Sequence, residues 1–286
     1  MAKLSHAPIT QADLIDFLDT ESDFAFELRT LECLSDLGFR CSHGGSYDDP
    51  VTHKPRQFDI RASKGADDLI FSFALECKNL SGSYPLLVLC VPRTREESFL
   101  EILASFPPRG SEKYNNPLAP NSEVLRIQTP TFTYKEGDPV GKKMARVGRT
   151  ADKEKALTSS DADIFEKWSQ ALASADDLGD EATEFGTKAN SVVCTVILPV
   201  LVVPDNTLWS VIYRSDGSRL ENPVPTNRCS VYVGQGYSVG EKLRSVYFMI
   251  SHLEIVTQAG LKELSTSIFT DDHLRAGISI AANAKS

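Results

Sequence analysis

Asp59, Glu76 and Lys78 are the residues of this sequence whose types and spacing suit catalysis. Side chains on a β-strand alternate between faces, so Glu76 and Lys78 share one face while Leu75 and Cys77 take the other. They close the apolar run from Leu69 to Leu75, where a charge without a partner is costly. Asp59 lies in an alternating segment, sharing a face with Gln57 and Arg61 opposite Phe58, Ile60 and Ala62. If the two segments pair as a hairpin, the carboxylates, 17 residues apart, meet at one edge of a sheet. Two carboxylates that close repel, and one pKa rises unless a divalent cation compensates them. Hard oxygen ligands of this kind suit Mg²⁺ or Mn²⁺. The same residues also admit a purely structural reading. In that reading Glu76 and Lys78 join a cross-strand ion-pair network and Asp59 pairs with Arg56 or Arg61.

The arrangement resembles the PD-(D/E)xK nuclease superfamily, which has the restriction-endonuclease-like fold. Phe58-Asp59 matches the first half-motif, with Phe where the motif has proline, and Glu76-Cys77-Lys78 matches the second. The family commonly carries a further acid on the helix preceding these strands. Glu27 stands there, on the apolar stripe between Phe24 and Leu31. The resemblance covers roughly residues 22–80.

It implies an α/β fold, a mixed β-sheet flanked by helices, and metal-dependent hydrolysis of nucleic-acid phosphodiester bonds, with DNA as the expected substrate. Asp59 and Glu76 would bind Mg²⁺, with Mn²⁺ as a substitute, aided by the Cys77 carbonyl. Lys78 would orient or help deprotonate the attacking water and offset phosphate charge. Glu27 would hold a second metal or a metal-bound water. A homodimer is expected if both strands of a duplex are cut. The alternative within the same resemblance is a catalytically inactive, nuclease-like module that binds nucleic acid or protein.

The elements that must position these residues follow from periodicity and turn chemistry. Thr10 can cap a helix over 11–18, and a stronger one runs over 23–37 with Phe24, Leu28, Leu31 and Leu34 at helical spacing and Gly38 as its stop. A strand begins at 39–42, a polar loop covers 43–55, and strands follow at 57–62, 69–78 and 84–91. His43, His53, Asp48 and Asp49 in that loop fit no ligand spacing and read as solvated. A helix is expected over 95–106.

Residues 107–188 have few large apolar side chains and read as an insertion or lid. Within them, 142–155 is basic, and Lys142, Lys143, Arg146 and Arg149 are candidates to clamp a phosphate backbone from a loop after Gly141. A helix over 161–173 precedes an acidic tract with Asp176, Asp177, Asp180, Glu181 and Glu184, expected to be solvated. Strands return at 192–203, 209–213 and 247–256. The organisation is therefore an N-terminal half of the core with the active site (1–106), the insertion (107–188), and strands and helices completing the core (189–286).

Composition sets the outer bounds. The chain has 286 residues, with 30 Lys and Arg against 39 Asp and Glu, a net charge of −9. Its hydrophobic and charged shares are those of globular proteins, which excludes a disordered chain, a collagen-like fibre or a histone-like protein. An isoelectric point near 5.1 leaves nucleic-acid affinity to a local basic surface. No apolar run reaches bilayer length, so no membrane association is expected, and no secretory signal pattern opens the chain. Cysteines 33, 41, 77, 90, 194 and 229 show no paired spacing and read as reduced, packed thiols of a cytoplasmic protein.

Overall fold

Thr10 opens the first helix with a capping box. Its side chain accepts from the Asp13 N–H while the Asp13 carboxylate accepts from the Thr10 N–H, which starts α1 (Gln11–Thr20). The computed structural model describes residues 7–66, 68–106, 121–128, 133–150, 153–188, 192–240, 245–272 and 274–276. Helix α2 (Phe24–Asp36) stops at Gly38, whose φ of +80° is a left-handed conformation that glycine adopts without a Cβ penalty.

Strand β1 (Arg40–His43) leads into a two-stranded ribbon of β2 (Ser46–Asp48) and β3 (Pro55–Gln57), then β4 (Ile60–Ala66) and β5 (Leu69–Cys77). After β6 (Leu86–Pro92) come a single 3₁₀ turn at Arg95–Glu97, β7 (Leu100–Ser105) and β8 (Ser122–Ile127). Next are β9 (Pro139–Thr150), β10 (Lys153–Ser160) and the 27-residue helix α3 (Ala162–Lys188). The chain continues through β11 (Val193–Val203), β12 (Leu208–Ile212), β13 (Val224–Pro225), β14 (Arg228–Val239), β15 (Val246–Thr257) and α4 (Gln258–Thr270).

Among the described residues, thirteen strands form one mixed sheet. Its path runs β1-β4-β5-β11-β15-β14-β9-β6-β12-β13, with β7 and β8 joined through β11 and β10 through β9. β1, β4 and β5 are antiparallel neighbours, while β11 runs parallel to both β5 and β15. Alternation along β5 decides what lies on each face. Phe71, Phe73, Leu75 and Cys77 enter a core with Phe26 and Leu34 of α2 and Leu261 and Leu264 of α4. Ala74 faces the other way, with Ala175 and Leu178 of α3, so Glu76 also lies under α3. The expected mixed sheet flanked by helices is present.

Several local expectations are corrected. Residues 95–106 are not a helix. After the 3₁₀ turn, β7 lies antiparallel on β11 with every residue buried. A strand covered on both faces reads as a continuous apolar run, which periodicity alone does not separate from a buried helix. The strand expected over 57–62 is interrupted at Phe58-Asp59, between β3 and β4. The loop over 43–55 contains β2, whose Tyr47 is buried against α3 and donates to the Gln170 carbonyl. The residues after Gly141 form a strand rather than a loop. Residues 107–188 contribute β9, hydrogen-bonded between β6 and β14, and the helix that covers β5 and β11. The acidic tract continues α3, with Asp180, Glu181 and Glu184 exposed and Asp176 and Asp177 half-buried. Among the described residues no helix is long and apolar enough to cross a membrane.

One buried ion pair joins β14 to β15. Glu254 is fully buried and accepts from Arg228 Nε at 2.7 Å and Nη2 at 3.1 Å. Burial pushes its carboxyl up, but the Arg228 guanidinium holds it below the usual range. Arg228→Ala leaves that buried carboxylate without its bidentate cation, with only the Tyr134 hydroxyl and the more distant Arg93 to offset it, and is expected to lower the unfolding free energy by about 3 kcal/mol. The double change Arg228→Met with Glu254→Leu should lose far less. Urea denaturation of the three proteins measures the difference.

Candidate active site

The hairpin register delivers the two carboxylates as its spacing requires. Ile60 pairs with Leu75, so Asp59, one residue before β4, comes beside Glu76. The Cys77 N–H donates to Asp59 Oδ2 at 2.8 Å, and the Asp59 N–H reaches Glu76 Oε1 at 3.4 Å. A third residue completes the cluster from α3. Lys167 Nζ donates to Asp59 Oδ2 at 2.7 Å and to Glu76 Oε2 at 3.1 Å. The Glu76 side chain is wholly buried, whereas those of Asp59 and Lys167 keep 15% and 18% exposure, which leaves a narrow opening to solvent.

The electrostatics follow from that burial. Desolvation, reinforced by the Asp59 charge, pushes the Glu76 carboxyl up to about 8, against a downward pull from Lys167. Burial alone would lower the Lys167 ammonium, but Glu76 and Asp59 together raise it above its ordinary value.

Lys167 was missed in the sequence, although a signal was available. It falls three residues after the buried Ile164 and four before the buried Ala171, on the stripe that continues through Ala175. A lysine on the apolar stripe of a helix calls for an acidic partner, by the same logic that singled out Glu27.

The other expected site residues are held elsewhere. Lys78 Nζ binds Asp23 Oδ2 at 3.1 Å, and Asp23 Oδ1 accepts the Asn79 N–H at 2.8 Å, so Lys78 is tied to the start of α2. Glu27 Oε2 meets His43 Nε2 at 2.9 Å, which makes His43 a partner of the site's periphery rather than a solvated loop residue. Glu27 lies on the α2 side of the sheet and Glu76 on the α3 side. Between them, the buried Cys77 thiol is raised first by burial and then by the charges of Asp59, Glu27 and Glu76. Among the described residues no three His, Cys, Asp or Glu side chains gather where they could hold a metal ion.

The basic strand is partly neutralised by the protein itself. Lys142 pairs with Glu97 and lies 5.1 Å from the Tyr232 ring centroid. Arg146 pairs with Asp163 and lies 4.1 Å from that of Tyr84. Lys143 and Arg149 are exposed on β9, and Arg149 has a partner of its own. The side chains of Lys153 and Lys155 lie outside the described residues. No family model, curated protein or solved structure matches the chain.

The raised Glu76 carboxyl sets a pH dependence. An unfolded glutamate releases its proton near 4.5 and the folded one near 8, so across that window the native state holds a proton that the unfolded chain has lost. Stability therefore falls as pH rises through the window. Glu76→Gln has no such proton, so the stability difference between parent and variant should shift steadily against the parent from about pH 5 to pH 8. Urea unfolding at each pH tests this. A difference that stays constant would mean that Lys167 holds Glu76 ionised throughout.

Proposed function

We propose that this protein is a Mg²⁺-dependent nuclease of restriction-endonuclease-like type, acting on DNA. The observation that carries the reading is the buried meeting of Asp59 and Glu76 at the end of two hydrogen-bonded strands, with the Cys77 backbone N–H fixing one carboxylate. Mg²⁺ is characteristically held by one or two carboxylates, with water and substrate phosphate filling its other positions, and two hard oxygen donors at a site partly open to solvent fit that need. Asp59 and Glu76 would hold the ion, with the Cys77 carbonyl as a further oxygen. When bound, it would neutralise phosphate charge and lower the pKa of a bound water. Lys78, on the rim against Asp23, would leave that partner to orient the water or the phosphate oxygen. Glu27 would act through water from the α2 side.

A second reading has its own observation. Lys167 already compensates both carboxylates, which suits a structural ion-pair network or a nuclease-like module that binds without cutting.

Incubation of the protein with plasmid, linear duplex and single-stranded DNA in Mg²⁺ or Mn²⁺ separates the two. Cleavage is expected with either metal. Asp59→Ala and Lys78→Ala should each abolish it, and Lys78→Ala should leave metal binding largely intact. Full activity of Lys78→Ala would remove its assigned role. Absence of both cleavage and Mn²⁺ binding in the parent would leave the second reading.

DNA affinity is assigned to the β9 cations, unequally. Lys143→Ala should reduce the log–log salt slope of duplex binding by about 0.9, one phosphate contact. Lys142→Ala and Arg146→Ala should change it less, because each cation already pairs with an acid of this chain.

A further inference from the structure

The oxygen atoms of the carboxylate pair are already engaged. Asp59 Oδ2 accepts from both Cys77 N–H and Lys167 Nζ, Glu76 Oε2 accepts from Lys167 Nζ, and Glu76 Oε1 accepts from the Asp59 N–H. Lys167 Nζ is within 3.1 Å of an oxygen from each carboxylate, so it sits where an ion bridging them would have to sit.

We propose that Lys167 is a built-in counter-ion that competes with the divalent cation for the Asp59–Glu76 pair, so that loading the site requires Lys167 to withdraw. This rests on the reading of that pair as a cation site. An ammonium and a divalent ion repel each other and cannot share the same two oxygens. The lysine has a reason to be there before any ion arrives. Two carboxylates buried side by side repel, and a cation from the covering helix relieves that repulsion in the folded protein. It also has a way out, since its four-carbon stem is flexible and the side chain keeps a path to solvent. Lys78, by contrast, is bound to Asp23 and not to either carboxylate, so it should not take part in the competition.

The experiment is a calorimetric titration of Mn²⁺ into the parent, Lys167→Met, Lys167→Gln and Lys78→Met, with thermal melts of each at several Mn²⁺ concentrations. If Lys167 competes, Lys167→Met binds Mn²⁺ at least about tenfold more tightly than the parent, a change of about 1.4 kcal/mol. Its melting temperature is lower without metal and rises more on addition of Mn²⁺. Lys78→Met keeps the parent's affinity. Lys167→Gln gives the same direction of change with a side chain that still donates hydrogen bonds, and decides the matter should Lys167→Met fail to fold. Equal or weaker binding by the folded Lys167 variants, beside a parent that does bind, overturns the competition while leaving the cation site standing. Equal tightening in Lys78→Met overturns it too, because the effect would then be a general loss of positive charge. No Mn²⁺ binding by any of the four proteins overturns the cation site itself and the competition with it.

Discussion

A carboxylate with no exposure, set beside a second carboxylate, is the constraint around which this fold is arranged. Glu76 projects from β5 into the layer between sheet and α3, and Asp59 enters the same layer from the break before β4. Burial beside Asp59 pushes the Glu76 carboxyl up to about 8 even with a cation pulling it down, and the hairpin supplies no cation to either acid. The cation comes from Lys167, 91 residues beyond Glu76 in the chain. That in turn requires α3 to lie close across β5 and β11, which small side chains allow: Ala74 on the strand, Ala171 and Ala175 on the helix. The acids of the N-terminal half are thus completed by a helix from the middle region, so the site forms only when both are folded together.

A second charge contact on the same helix fixes its direction. Arg61, two residues after Asp59 on the same face, is held by Asp177 at 2.8 Å and Glu181 at 2.7 Å, with Ser174 accepting from its Nε. The helix therefore presents a cation toward the acids and acids toward the arginine. Sliding or reversing α3 would set like charges against each other in a poorly hydrated layer. The apolar contacts of Ala175 and Leu178 alone would not discriminate so sharply between positions. Here buried charge favours one arrangement of helix on sheet, the role best supported for such groups. The crowding of acids it demands is visible at Asp176, whose carboxyl is pushed up to about 7 by burial and by Asp180 and Asp177.

What was legible in the sequence is what local periodicity encodes. The apolar run before Glu76 and the hairpin spacing pointed to both carboxylates meeting at one sheet edge, although Asp59 sits in a break between β3 and β4 rather than within one alternating strand. Helix α2 and its glycine stop are present as expected, but of the stripe Phe24, Leu28, Leu31 and Leu34 the first two are exposed, and the helix buries Phe26, Thr30 and Leu34 instead. The missing pieces were set by partners distant in the chain. Strand β7 is buried because it pairs with β11 inside the sheet, with Leu103 under α3 and Ile102 and Ala104 in the core of α2 and α4, facts absent from residues 95–106 themselves. Asp180, Glu181 and Glu184 are exposed as expected, but Asp176 and Asp177 are half-buried, and the Arg61 that holds Asp177 lies 116 residues earlier in the chain. Lys78 resembled a catalytic lysine by spacing alone, while its contact with Asp23 depends on how α2 docks. Lys167 was hidden by the habit of reading a helical lysine as solvent-facing.

The two lysines of the site differ in what holds them, and that difference orders their mobility. Lys78 and Asp23 keep 19% and 15% exposure, so water reaches both partners of that pair. Lys167 donates to a carboxyl with no exposure at all and draws it down against burial, so removing it without replacement would leave Glu76 more firmly protonated beside Asp59. Lys78 is therefore free to exchange partners whenever an anion approaches the rim. Lys167 moves at comparable cost only when another cation takes its place. On the proposed reading, loading the Asp59–Glu76 pair is therefore an exchange of one cation for another.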